Sequence, residues 1–487
     1  MPYIKGTDRH QVTLFPESID DYITSDNPVR VIDAYVEQLD MVAYNFSFAR
    51  CPKIGRPPYD PKVLLKLYLY GYLNRIRSSR RLEDEANRNL ELIWLLEKLA
   101  PDFKTIADFR KNNKKALKEL FKDFSQLCKQ WDLYGKETVA IDGSKFKASN
   151  SKKNNYSKKK LKRHIKYLDE KIDSYLAELD ENDEVEKEDR KPDEKEIKEK
   201  IEELKKRKSR YEDMDKELEE SEENEISTTD PDARLMSNNN GTVDVSYNVQ
   251  TAVDGKHNLI VAFEVTTWPN DLGYLAPLAL KVKQFLGCET LELLADKGYY
   301  YTDCLKQCVE NGIRPYVSKQ DSPNQTGNKK YYANQFKYDK VKDAYTCPAG
   351  EELTYSRTRK NKEKEVIGYD YRNSKACSNC LDKPLCTKSK RGRCIFRNAN
   401  QDFLDTIDLK TKADIKKYRQ RQMIVEHPFG TIKHIWSAGN FLTRGKESVS
   451  AEIALSYLAY NFKRTISILG VEEMVKRLKQ RGKPVLA

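Results

Sequence analysis

Three acidic residues in this chain of 487 residues stand where metal-assisted chemistry needs them. Asp142 closes the run Thr138-Val-Ala-Ile-Asp142, and Asp296 closes Leu291-Glu-Leu-Leu-Ala-Asp296. Both runs read as short buried strands ending in a carboxylate. Ligands of open α/β sheets gather beyond the carboxyl ends of strands, so neighbouring strands would bring the two acids to one point. Two close carboxylates repel and push one pKa up unless a divalent cation neutralises them. Hard oxygen donors of this kind suit Mg2+ or Mn2+. Taken singly, each aspartate also reads as a helix N-cap at a strand-to-helix junction. The third acid, Glu426, lies within the basic stretch Lys416–Lys433, where Arg419, Met423, Glu426, Gly430 and Lys433 fall near one helical stripe. A lone glutamate among cations is ordinarily a surface ion pair. Joined to the two aspartates it would complete a metal cage, with the neighbouring cations holding phosphates.

The elements that must position these acids are legible as an α/β sheet with a helical N-terminal domain. Pro28 to Leu39 is apolar at helical spacing, and Asp60-Pro61 reads as an N-cap followed by a first-turn proline. Short helices joined by basic turns such as Asn74-Arg-Ile-Arg-Ser-Ser-Arg-Arg suit a helix-turn-helix DNA reader and a plain bundle alike. Gly241 to Gly255 alternates and turns at Asp254-Gly255, and Asn258 to Thr267 returns from it as a second strand. Leu272 to Phe285 is an amphipathic helix, a helix starts at Thr302, and Ile313 to Val317 is a further strand. A long basic helix is expected over about Thr411 to Trp436, and a last one over Ser450 to Ile468. The expected divisions are 1–132 as a helical DNA-binding domain, then a catalytic domain split over 133–150, 226–339 and 398–470. A charged coiled-coil hairpin (151–225) and a cysteine-rich zinc-binding segment (340–397) interrupt it, and 471–487 forms a basic tail.

Charge sharpens this division. From Ser151 to Glu220, 44 of 70 residues are charged, 21 basic and 23 acidic. The whole chain is +12 and this stretch −2, so the remaining residues carry +14, which suits a polyanionic partner. Ile165, Leu168, Ile172, Tyr175 or Leu176 and Leu179 form one apolar seam, and Ile197, Ile201, Leu204, Tyr211, Met214 and Leu218 a second, with a turn near Pro192. No run of 18 apolar residues occurs and the N-terminus lacks an apolar signal core, so a cytoplasmic, nucleoid-associated location is expected. Phosphate-loop, His-Glu-x2-His and Gly-x-Gly-x2-Gly motifs do not occur, which leaves nucleotide hydrolysis, zinc proteolysis and dinucleotide chemistry without support.

Cysteines add a second metal question. Cys347 opens a Thr-Cys-Pro-Ala-Gly turn, and Cys377-Ser-Asn-Cys380 is followed by Cys386 and Cys394. The grouping is zinc-ribbon-like and points to Cys347, Cys377, Cys380 and Cys386 as a structural Zn2+ site, with Cys394 the alternative to Cys386. Cys304 and Cys308, spaced i, i+4, read as core. His427 reads as a surface or DNA-contacting residue rather than a ligand. Tyr418, Trp436 and Phe441 read as core, with base stacking the alternative.

The order of Asp142 in "VAIDGSKFKAS", Asp296 in "LLADKGYY" and Glu426 in "YRQRQMIVEHPFGTIKHIW" resembles bacterial insertion-sequence transposases of the DDE class. "PYDPKVLLKLYLYGYLNRIRSSRRLE" and "LAPDFKTIADFRK" look like that family's helical N-terminal domain, and "LSYLAYNFKR" like its terminal helix. Tyr418-x2-Arg421 and Glu426-x6-Lys433 match the family's Tyr-Arg-Glu-Lys signature, with four residues rather than three between Arg421 and Glu426. The resemblance implies a ribonuclease H-like catalytic domain in which Asp142, Asp296 and Glu426 hold two Mg2+ ions (or Mn2+) roughly 3.5–4 Å apart. It implies cleavage and strand transfer at the ends of an insertion sequence without a covalent protein–DNA intermediate. Tyr418, Arg419 or Arg421, and Lys433 would bind DNA. The implied partners are double-stranded DNA, as terminal inverted repeats and target, and a second copy of the chain in a synaptic complex. A DNA-binding protein with an unused site, and a nuclease that never joins strands, are the alternatives.

Overall fold

The computed structural model describes residues 17–51, 54, 57–184, 194–221, 223–238, 241–319 and 323–481. Six helices come first: α1 (Val29–Glu37), α2 (Pro61–Leu73), α3 (Ser79–Arg88), α4 (Leu90–Leu95), α5 (Phe103–Asn112) and α6 (Lys114–Gln130). Asp60 caps α2 by accepting from the Lys62 amide at 2.8 Å, with Pro61 in the first turn as its sequence indicates. Helix α2 is apolar on nearly every side and is buried accordingly.

Strand β1 (Thr138–Lys147) then opens the main sheet. A detour follows through β2 (Asn155–Ser157), α7 (Lys158–Glu184), α8 (Glu194–Glu220) and β3 (Glu225–Ser227). The two helices run antiparallel, with Leu161 and Leu168 meeting Tyr211 and Leu218, and Ile172 meeting Ile197 and Ile201. These are the seams expected from the sequence; the turn near Pro192 lies outside the described residues. Pairing of β2 with β3 closes the base of the hairpin.

The sheet resumes with β4 (Arg234–Ser237), β5 (Val243–Asp254), β6 (Ile260–Thr266), helix α9 (Leu275–Leu286), β7 (Leu291–Ala295), helix α10 (Thr302–Glu310) and β8 (Ile313–Val317). Its order is β4-β5-β1-β7-β8, with β6 also on β5. The β1–β5 and β5–β6 pairs are antiparallel, and β1–β7 and β7–β8 are parallel. Asp254 fixes the β5–β6 turn by accepting from the amides of Gly135, Lys136 and Lys256.

The cysteine-rich segment is an antiparallel sheet, β9 (Lys337–Asp339), β10 (Ala344–Thr346), β11 (Glu352–Lys360), β12 (Val366–Arg372) and β13 (Cys394–Asn398). Short helices α11 (Ser374–Ser378) and α12 (Lys383–Cys386) lie between β12 and β13. A small core of its own, built on Tyr331, Phe336, Tyr345, Leu353, Tyr371 and Ile395, holds it together.

Three expectations need correction. The basic helix is two helices, α13 (Gln401–Ala413) and α14 (Ile415–Phe429), because Asp414 breaks the first and caps the second through the Lys417 amide. Helix α14 then widens into a π turn over Gly430–Ile435. Following α15 (Lys446–Leu469), residues of the expected tail form α16 (Val471–Lys479), since Val471, Met474 and Leu478 make an apolar stripe that packs inward. Helix α15 is buried along most of its length, and Asn461 brackets Ile260 of β6 by accepting from its amide and donating to its carbonyl. One continuous apolar core includes α2, α6, α15 and the main sheet.

Candidate active site

The parallel register places the two aspartates. Ile141 pairs with Ala295 as the last β1–β7 pair, so Asp142 and Asp296 leave that pairing side by side. Strand β1 does not end there, however, as the sequence reading has it. It runs on to Lys147 against β5, which keeps Asp142 in a regular strand. Asp296 does act as a cap, accepting from the Gly298 amide at 2.7 Å.

Helix α14 crosses this end of the sheet and supplies the cations. Arg421 Nη1 lies 3.3 Å from Asp142 Oδ2. Lys433, brought back by the π turn, donates to the Lys145 carbonyl at 2.5 Å and sits 4.4 Å from the Phe146 ring centre. Burial pushes the Asp142 carboxyl up to about 7; Arg421 opposes this, while Asp296 and Asp271 add to it by repulsion. Burial likewise pulls the Lys433 ammonium down to about 8, against the attraction of Asp142. Asp271 has no counterpart in the sequence reading. It accepts from Asn248 Nδ2 at 2.8 Å and Gln250 Nε2 at 2.6 Å, both on β5.

The other signature residues are placed differently. Glu426 is exposed on α14, and among the described residues no hydrogen bond or ion pair joins its side chain to Asp142 or Asp296. Arg419 and Met423 are exposed too, so most of the stripe read from the sequence faces outward, and it is Arg421 that meets Asp142. Tyr418 is half-buried and packs on the main core. His427 is half-buried, and its Nδ1 pairs with the Tyr460 hydroxyl at 2.7 Å. Trp436 and Phe441 are core residues. In the N-terminal helices, Arg77 of the basic turn is taken up internally by the carbonyls of Asn440 and Ser437 and by Glu452.

Cys347, Cys377, Cys380 and Cys386 line one cavity of about 30 Å³ together with Arg393. Burial, opposed by Arg393 and reinforced by the other three thiols, pushes the Cys386 thiol up to about 11. Cys394 faces away, bonded with Arg359 and Asp370, so it is not the alternative fourth member. Among the described residues, no three His, Cys, Asp or Glu side chains are set closely enough to hold a metal ion. The four thiols, like the carboxylates of Asp142, Asp271 and Asp296, are thus gathered but not at ligand spacing, and zinc gains no support from their arrangement.

Residues 17–112 match the family model of a transposase domain, and residues 346–466 that of a transposase DDE domain. Over these two stretches the chain is similar to transposases, the second stretch to those of the DDE class. The DDE match takes in Glu426 and Lys433, whereas Asp142 and Asp296 precede it. Such a domain implies a ribonuclease H-like fold, and the mixed sheet centred on β1 accords with it. No curated protein matches the chain. Among the described residues, no helix is long and apolar enough to cross a membrane.

Proposed function

We propose that this transposase cleaves and joins DNA at the ends of an insertion sequence, using Asp142, Asp296 and Glu426 as its acids. The observation that carries the reading is the β1–β7 register, which sets Asp142 beside Asp296 under the cations of α14. The donor chemistry fits a hard divalent ion, because repulsion from Asp296 and Asp271 raises the Asp142 pKa and a cation would relieve it. Asp142 and Asp296 would hold Mg2+ or Mn2+, and Glu426 would join them when DNA is engaged. An ion bound there supplies a lowered pKa for the attacking water or DNA 3′-hydroxyl and takes up charge on the leaving oxygen.

The chain's own residues do the rest. Arg421, paired with Asp142 here, would hold a phosphate oxygen in a charge-assisted pair. Lys433 keeps a second positive charge beside Asp142, and Arg419 and Tyr418 extend the contact along α14. Two copies of the chain would pair the two DNA ends in a synaptic complex. The four gathered thiols would bind structural zinc on drawing together. Zinc analysis of protein purified without chelator should then find one ion per chain, lost in Cys377→Ser.

The test of the main reading uses the inverted repeats that flank the gene as substrate with Mg2+. Wild type should nick and join these ends. Asp142→Ala, Asp296→Ala and Glu426→Ala should each lose activity by about 10³-fold or more while binding DNA within a few-fold of wild type. Cleavage without joined product would make the protein a nuclease, and binding without cleavage a DNA-binding protein.

A further inference from the structure

We propose that Asp271 is a further carboxylate of the Asp142–Asp296 centre and becomes a ligand for the same divalent cation when these three acids, gathered here but not at ligand spacing, close on the ion. The inference rests on reading that centre as a metal site and adds a residue outside the acid triad. Asp271 lies on the loop between β6 and α9, yet its two oxygens approach Gly143, beside Asp142 on β1, and Gly298 in the turn after Asp296. A Cβ on Gly143, the residue after Asp142, would come within 2.2 Å of Asp271 Oδ1. A Cβ on Gly298, two residues after Asp296, would lie 3.4 Å from Asp271 Oδ2 and 2.9 Å from Asp296 Oδ1. A side chain at 143 would therefore collide with the Asp271 carboxylate, whereas one at 298 would crowd Asp296 and only touch Asp271.

The way Asp271 is held points to a ligand. Asn248 and Gln250 both donate to Oδ1, fixing the carboxylate from the β5 side, while among the described residues no hydrogen-bond donor reaches Oδ2. Gln250 in turn accepts from the hydroxyl of Tyr299, which ties this arrangement to the turn after Asp296. Asn248 is almost wholly buried, and its Oδ1 has no hydrogen-bond partner. That oxygen lies 3.0 Å from the same point beside Gly143 that Asp271 Oδ1 approaches. A buried acceptor without a donor is costly. Set among carboxylates, it is satisfied by a cation or by water bound to one.

Binding of Mn2+ to the full-length protein without DNA, followed by the electron paramagnetic resonance of the free ion, tests this. Wild type should bind; Asp142→Asn should abolish binding, and Asp271→Asn should weaken it at least tenfold with an unchanged circular dichroism spectrum. Wild-type affinity in Asp271→Asn alongside loss in Asp142→Asn would overturn the role of Asp271 and leave the metal reading standing. Absence of binding by wild type would overturn both. Since the amide introduced by Asp271→Asn would face the side-chain amides of Asn248 and Gln250 and could impair folding, a measurement on wild type alone completes the test. Fe2+ with ascorbate and peroxide should cut the backbone near 142, 296 and within 268–273. Cutting at the first two places alone would overturn the proposal.

Discussion

At the scale of single residues, the site is governed by the cost of keeping Asp142 charged. Its carboxyl has an ordinary pKa of 3.8 and is pushed up to about 7 in the fold, first by burial and then by Asp296 and Asp271. An acid whose folded pKa is raised favours the folded state at low pH, and that advantage is lost as pH climbs from 3.8 through about 7. Above that window the ionised carboxylate works against folding unless a cation joins it. With EDTA present, Asp142→Asn should therefore melt several degrees above wild type at pH 8, and the gap should close as pH falls toward 4. Removing the opposing charge with Arg421→Gln should lower the melting temperature at pH 8 and leave it nearly unchanged at pH 4. A gap between wild type and Asp142→Asn that is the same at both pH values would contradict the electrostatic account. Differential scanning fluorimetry across the range decides it.

At the scale of elements, the α7–α8 hairpin is a module added to a loop. Its apolar seams bury against each other, and β2–β3 pairing brings its two ends together at Ser157 and Glu225. Replacing residues 158–220 by a short Gly-Ser turn should shift the main melting transition by less than about 3 °C and leave DNA end cleavage intact. A collapse of the main transition would show that the hairpin supports the sheet. The same locality made this hairpin readable from sequence, because each seam repeats within a few residues. Strands β1 and β5 to β8 were readable for a related reason, as short apolar or alternating runs between turns. What escaped was set by long-range geometry. Asp271 sits in a Trp-Pro-Asn-Asp stretch that reads as a turn, and its partners Asn248, Gln250, Gly143 and Gly298 reach it only through the sheet. Likewise, a regular helical stripe favoured Arg419, but α14 turns Arg421 toward β1, and the π turn after it brings Lys433 to the same strand. Glu426 follows Arg421 by five positions, well around the helix from it, which accounts for its exposed place.

At the scale of the whole molecule, the N-terminal helices and the main sheet share one apolar core through α15, so positioning of the candidate site depends on residues far from it. Glu452 of α15 is 1% exposed and accepts from the amides of Leu442 and Thr443, the Thr443 hydroxyl and Arg77. The chain it secures is stitched to the end of β1, where Phe441 donates to the Lys147 carbonyl and Lys147 to the Gly439 carbonyl. Arg77, from the turn between α2 and α3, thus ties the N-terminal helices to the strand that carries Asp142. Breaking a buried pair by removing one partner leaves the other charge uncompensated, at a cost of about 3–5 kcal/mol. Glu452→Ala should lose stability of that order in urea unfolding, because two amides and the Arg77 guanidinium lose their acceptor together. Arg77→Ala should cost less, since Glu452 keeps its amide donors, and the double variant should fall short of the sum of the two because the shared contact is counted in both. Strict additivity, or a loss below about 1 kcal/mol for Glu452→Ala, would mean that the N-terminal helices merely abut the catalytic sheet. Non-additivity accompanied by reduced cleavage in Arg77→Ala would instead establish that a residue of the N-terminal helices holds β1, and with it Asp142, in register.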